Sequence, residues 1–189
     1  WIGNVSSINN HTIGISRLNT PSYSDGLIDQ VRIFSKALNQ TEIDSLFAET
    51  ACVHTATTTD SDYPTTNLAY YKLDNSAEDE KGSYDGTETD IEYRFGRFGQ
   101  AAVFNGSSSI INTSVDFDTL TDYTISMWIN PSSNNKYFAG TVAASTALNG
   151  IYLNLTSGNL IRFFERNNSN TVTSLTSTDT VTLNAWNHI

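Results

Sequence analysis

The feature that most constrains the fold of this chain is the spacing of its apolar residues, which come in short runs, each ended by turn-forming residues. Residues 68–73, 101–104, 110–111, 123–129, 150–155, 160–164 and 172–175 are such runs, and Gly, Asn, Ser or Asp lies between them. Runs of this length and spacing predict an antiparallel sandwich or jelly roll. Asn105-Gly106, Asn149-Gly150 and Ser157-Gly158 supply the positive φ that tight turns require and are expected to punctuate hairpins. Hydrophobic residues make up 38% of the chain, and Thr, Ser and Asn fill much of the remainder, a mixture that favours strands over helices. A chain of 189 residues can hold one such sandwich or parts of two.

Charge narrows the partners. Asp and Glu number 20 against 10 Lys and Arg, a formal charge of -10, which repels phosphate backbones and anionic lipid surfaces. Neither nucleic acid nor membrane is an expected partner. No apolar run approaches the roughly 20 residues of a membrane helix, and the N-terminus carries no basic stretch followed by an apolar core, so any targeting signal is expected outside this window. Both ends, at Trp1 and at His188-Ile189, fall inside apolar patterns and are expected to be cut ends. The lone Cys52 cannot close a bridge within the chain; a half-buried thiol beside a linker and a partner cysteine elsewhere both remain open.

Composition shifts once, over residues 52–66 (CVHTATTTDSDYPTT), which are rich in Thr and Asp and poor in apolar side chains and are expected to form an exposed linker. Before it, GLIDQVRIF at 26–34 reads as a strand with Ile28, Val31 and Ile33 inward. Next, Asn39 precedes Glu42 and the apolar Ile43, Leu46 and Phe47, the signature of a short capped helix near residues 39–48.

These blocks resemble laminin-G-like domains of the concanavalin A-like lectin/glucanase superfamily. GLIDQVRIFSKALNQTEIDSLF at 26–47 is similar to the closing strand and helix of such a domain. LAYYKLDNSAEDEKGSYDGT, RFGRFGQAAVFNGSSSIINT and YTISMWINP are similar to successive blocks from its beginning, and AWNHI to the block that opens its next core strand. The resemblance implies an all-β, concanavalin A-like antiparallel β-sandwich (jelly roll) with one short helix. Its order is rotated: residues 1–51 match the C-terminal part of one module and 67–189 the N-terminal and central part of a second, incomplete at its C-terminus. A window cut from a tandem array is one reading, and one permuted sandwich is the other.

The same resemblance implies a non-enzymatic glycan-binding or structural module of a multidomain fibre, extracellular, secreted or on a cell or virion surface. RFGQAAVFNGSSS is also similar to laminin-G-like modules in virion fibre and tail proteins of marine bacteriophages, and bacterial adhesins use similar modules. Expected partners are glycans or neighbouring copies of a fibre protein, and a homo-oligomer is compatible with this. The competing reading is a β-glucanase-like glycoside hydrolase of the same fold: Glu88, Asp90 and Glu92 alternate, and on one strand they would share a face, as a nucleophile, a helper and a general acid must. That segment lies where laminin-G-like domains place a variable exposed connection, and an acidic edge or loop is the expected account. His11, His54 and His188 are scattered, and there is neither a nucleophile elbow nor zinc-ligand spacing, so no catalytic residue is assigned.

Sugars are held by aromatic faces and by amide side chains in loops, which makes Asn135, Tyr137 and Phe138 the candidate ligand-binding residues. The acidic segment DNSAEDEKGSYDG at 74–86 crowds carboxylates into one loop. A structural Ca2+ would neutralise them: the resemblance places Asp79 and Asp85 as its candidate ligands, and the crowded segment adds Asp74 as a third.

Overall fold

The computed structural model describes residues 11–17, 21–49, 66–117, 120–141, 150–166 and 172–189. In chain order the elements are β1 (His11–Ile13), β2 (Ile15–Arg17), β3 (Pro21–Tyr23), β4 (Asp25–Phe34), α1 (Gln40–Phe47), β5 (Asn67–Tyr71), β6 (Thr87–Thr89), β7 (Glu92–Phe95), β8 (Gln100–Asn105), β9 (Ile110–Thr113), β10 (Thr124–Pro131), β11 (Lys136–Thr141), β12 (Gly150–Leu155), β13 (Leu160–Arg166), β14 (Val172–Thr180) and β15 (Asn187–His188). They build a seven-stranded sheet in the order β14-β13-β12-β11-β1-β9-β6, which we name the front sheet. A six-stranded back sheet runs β15-β10-β4-β8-β7, with β5 also on β4, and β2-β3 form a separate ribbon. All pairings are antiparallel.

The core lies between the two sheets and is set by strand alternation. Ile13, Ile111, Phe138, Ile151, Leu153 and Leu155 come from the front sheet, and Ile28, Val31, Ile33, Tyr71, Phe104, Met127 and Ile129 from the back. Ile28 and Val31 are three residues apart, which a regular strand would send to opposite faces. The strand solves this with a bulge: Gln30 takes a φ of 52°, and the register against β10 shifts between Ser126 and Trp128.

The first part of the chain supplies interior strands to both sheets. β1 lies between β11 and β9, and β4 between β10 on one side and β8 and β5 on the other. Residues 11–49, expected as the end of one module, are thus paired into the sheets of residues 66–189, expected as parts of another. The described strands of both stretches share the same two sheets. The linker and Cys52 lie outside the described residues, apart from Thr66.

The outward side chains of β4 hold the covering elements. Asn39 caps α1 by accepting from the Glu42 N–H at 3.0 Å while the Glu42 side chain returns to the Asn39 N–H. Leu46 and Leu38 then close over Phe34. Asp29 accepts the Phe98 N–H at 2.9 Å, and Asp74 accepts the Gln100 N–H, so two carboxylates clamp the loop between β7 and β8. A side chain at Gly99, whose φ is +60°, would strike the Asp74 carboxylate, its Cβ falling 2.3 Å from the oxygen.

The turns differ in part from expectation. Ser157-Gly158 joins β12 to β13 as a hairpin, but Asn159, at φ 59°, takes the left-handed conformation. Asn105-Gly106 joins β8 in the back sheet to β9 in the front sheet and so crosses the sandwich. Asn105 holds that crossing by accepting the N–H groups of Ser107, Ser108 and Ser109. Asn149 lies outside the described residues.

Candidate functional site

On β12 and β13, Tyr152 stands opposite Phe164, Asn154 opposite Arg162, and Gly150 opposite Arg166. Their odd-numbered neighbours Ile151, Leu153 and Leu155 enter the core, so alternation sends this even-numbered set to the outer surface of the front sheet. Tyr137 joins it from β11, opposite Asn154 and just before a register shift at Phe138.

The side chains form a layered cluster. Tyr152 and Phe164 stack at 4.8 Å between centroids with an interplanar angle of 21°, and Tyr137 meets both edge-on at 6.4 Å. The Arg162 guanidinium lies 4.8 Å from the Phe164 ring centroid, and its Nε donates to Asn154 Oδ1 at 3.2 Å. Tyr152, Asn154 and Phe164 are buried beneath; Tyr137, Arg162 and Arg166 are half-buried and form the accessible layer. Burial raises the Tyr152 hydroxyl above its ordinary pKa, partly opposed by the Arg166 charge, so it stays protonated as a donor. The arrangement offers one half-exposed aromatic face beside a guanidinium held flat, which is chemistry suited to a ring with an apolar face and a polar rim.

Of the residues expected to bind a ligand, only Tyr137 joins this cluster. Phe138 is a core residue, 1% exposed, because adjacent residues on a strand face opposite ways. Asn135 is exposed in the turn before β11 with a φ of 56°, a backbone role that Asn tolerates. Tyr152, Asn154, Arg162 and Phe164 were missed, although GIYLNL and LIRFFER carry a readable signal. Their outward positions hold aromatic and cationic residues where an uninvolved surface strand would carry small polar ones.

The expected calcium ligands do not converge. Asp79 is 4% exposed and already surrounded by donors: Oδ1 accepts from the Tyr70 and Lys81 N–H groups at 2.8 and 3.0 Å, and Oδ2 from those of Ser83 and Tyr84, each at 3.2 Å. Four N–H dipoles aimed at one carboxylate do the neutralising that a cation was expected to do, and they repel a cation. Asp85 accepts the Asp79 N–H at 3.0 Å, and Asp74 is spent on the loop after β7. This donor set does not fit Ca2+, and among the described residues no group of three His, Cys, Asp or Glu is placed to hold a metal.

The three alternating carboxylates are also separated. Glu88 lies on β6 in the front sheet, Asp90 turns the chain at a φ of 51°, and Glu92 lies on β7 in the back sheet. Glu88 accepts from the Ala77 N–H and the Tyr93 hydroxyl, each at 2.7 Å, and Glu92 pairs with Arg94 at 3.0 Å. A cavity of about 280 Å³ opens elsewhere between the sheets, lined by Tyr123, Ile125, Leu153, Phe163, Asp122 and Glu165. There the Tyr123 hydroxyl donates to Glu165, which ties up that carboxylate, and burial, followed by this bond to a carboxylate, raises the tyrosine's pKa.

No helix among the described residues is long and apolar enough to cross a membrane. No curated protein and no solved structure matches the chain. Residues 104–189, from the end of β8 through β15, match the Laminin_G_3 family model, described as concanavalin A-like lectin/glucanases superfamily, and two packed antiparallel sheets with a single described helix are the β-sandwich expected of that superfamily.

Proposed function

We propose that this chain is a non-enzymatic glycan-binding module of a multidomain extracellular or virion fibre, with its site on the outer surface of the front sheet at β11–β13. The observation that carries the reading is the pairing of Tyr137 with the Arg162–Asn154 hydrogen bond above the stacked Tyr152 and Phe164 rings. An aromatic side chain takes the C–H face of a pyranose, and a guanidinium fixed by an amide presents donors to its hydroxyl groups. The superfamily match over β9–β15 supports a carbohydrate-binding or structural module, and the separation of Glu88, Asp90 and Glu92 removes the carboxylate arrangement on which the hydrolase reading rested. The fibre setting rests on the resemblance of RFGQAAVFNGSSS and its flanks to fibre modules.

Affinity electrophoresis of the chain through gels containing neutral and acidic polysaccharides tests this. Retardation by at least one glycan, diminished in Tyr137→Ala, is the expected result. Equal mobility in every gel would overturn the reading.

A further inference from the structure

The glycan-binding reading leaves the class of sugar open, and two arginines bear on it. Acidic side chains outnumber basic ones 20 to 10, and several of the described cations pair with a carboxylate. Arg32 pairs with Glu49, Arg94 with Glu92, Lys36 with Glu42 and Lys72 with Glu80. Among the described residues neither Arg162 nor Arg166 forms an ion pair; the same is true of Arg97, which stacks on Trp128, and of Lys136, which donates to the Gly106 carbonyl, but only Arg166 keeps a buried Nε with no hydrogen-bond partner. Both lie on β13 and, being four residues apart, face the same way, separated by about 13 Å along the strand with Phe164 between them.

Among the described residues, no anion stands directly opposite either arginine. Across β14 the residues opposite are Thr176, Ser174 and Val172, and across β12 they are Asn154, Tyr152 and Gly150. Glu165, the one acidic residue of β13, alternates to the inner side, where it receives the Tyr123 hydroxyl. Burying part of an arginine with an unpaired Nε is costly unless an acceptor arrives from outside. The guanidinium fork matches a planar carboxylate in bidentate fashion, and the aromatic layer beneath holds it in place.

We propose that the ligand is an acidic polysaccharide, one whose repeating carboxylates are taken by Arg162 and Arg166 while Tyr137 receives the face of an adjoining sugar ring. The proposal rests on the glycan-binding reading and adds the charge of the ligand to it. Recognition is local: the overall charge of -10 opposes approach of any polyanion, so binding must come from the site and not from long-range attraction.

Affinity electrophoresis and titration calorimetry with alginate (a uronate polymer), ι-carrageenan (a sulfated galactan), and laminarin and dextran (both neutral) test it, with poly-glutamate and single-stranded DNA as non-sugar polyanions. The expected result is tighter binding of alginate than of the neutral glycans, with alginate binding weakened about tenfold or more in Arg162→Gln and in Arg166→Gln. Should either variant melt early, Ser174→Glu replaces it. Ser174 is exposed on the outer surface opposite Phe164, so a carboxylate there competes for both arginines without disturbing the core and should likewise weaken alginate binding. Preference for carrageenan with the same variant pattern keeps an acidic glycan and assigns the anion to sulfate. Neutral glycans bound as well as alginate, with the arginine variants unaffected, would overturn this inference while leaving the glycan reading standing. No retention by any polysaccharide would sink both. Poly-glutamate or DNA held as firmly as alginate would reduce the site to a general polyanion contact and overturn the proposal.

Discussion

The guanidinium of Arg32 meets the carboxylate of Glu49 at 2.7 Å with the two side chains only 2% and 3% exposed, so the end of the segment after α1 is tied to the outer surface of the back sheet by a pair removed from water. Tyr70 supports the same arginine through its ring face at 4.4 Å and its hydroxyl at 3.1 Å.

Breaking that pair from one side leaves an uncompensated buried charge. Glu49→Ala is expected to lower stability by about 3–5 kcal/mol, while Arg32→Met combined with Glu49→Leu should cost much less, because neither charge is then left alone. Urea denaturation of the two variants checks this. Equal losses in the single and double variants would show that the pair's geometry, and not the stranded charge, matters.

Asp79 predicts a second effect. Its four N–H partners make the carboxylate the organiser of residues 80–84, and Asp79→Ala strands all four donors in a part-buried loop. A loss on the order of 2–4 kcal/mol is expected. The melting temperature of the native chain should be the same in calcium and in chelator. A calcium-dependent rise abolished by Asp79→Asn would restore the metal site that the donor geometry argues against.

The carboxyl of Asp29 gives a pH dependence. It is 0% exposed, its Oδ1 has no partner, and burial pushes its pKa up to about 7, against the lowering effect of the Phe98 and Arg97 N–H groups and with a further upward push from Asp74. Its folded pKa lies above its unfolded one, so the folded chain holds the proton longer. The contribution is full below about pH 4, declines as pH rises toward 7, and is flat above that. At 1.36 kcal/mol per pH unit the decline amounts to about 4 kcal/mol at most. Asp29→Asn should flatten stability between pH 4 and 7. An unaltered slope in that variant would mean that Asp29 ionises elsewhere in the scale.

Two adjacent aromatics should separate cleanly. Phe138→Ala hollows the core and is expected to cost about 3–5 kcal/mol, whereas Tyr137→Ala, half-exposed on the other face, should cost about 1–2 kcal/mol and remove glycan retention. Thermal melts read the first effect and affinity electrophoresis the second.

Much of the architecture was legible because its signals are local. The Asn39–Glu42 box, the 26–34 strand and the alternating runs of β10, β12 and β13 each follow from spacing within one element. What escaped depends on distant partners. Asp79 looks like any crowded acidic residue until the chain folds the N–H groups of Tyr70, Lys81, Ser83 and Tyr84 around it. Glu88 and Glu92 look like one face of one strand until Asp90 turns the backbone between two sheets. The aromatic cluster is spread over three strands, and only their register brings Tyr137, Tyr152 and Phe164 together.

The interior position of β1 and β4 also governs the timing of assembly. Thr12, near the start of the described chain, donates to the carbonyl of Gly140, 128 residues later, and β4 awaits β10 for its longest pairing. Both strands therefore wait for partners that follow them in the chain: β4 for β5, β8 and β10, and β1 for β9 and β11. Loop-closure entropy over such separations slows the search, which places this sandwich among slow-folding, high-contact-order topologies. The interior strand β4 is thus exposed until its later partners arrive, and for that interval Ile28, Val31 and Ile33 are the surface on which chaperones or neighbouring nascent chains would act.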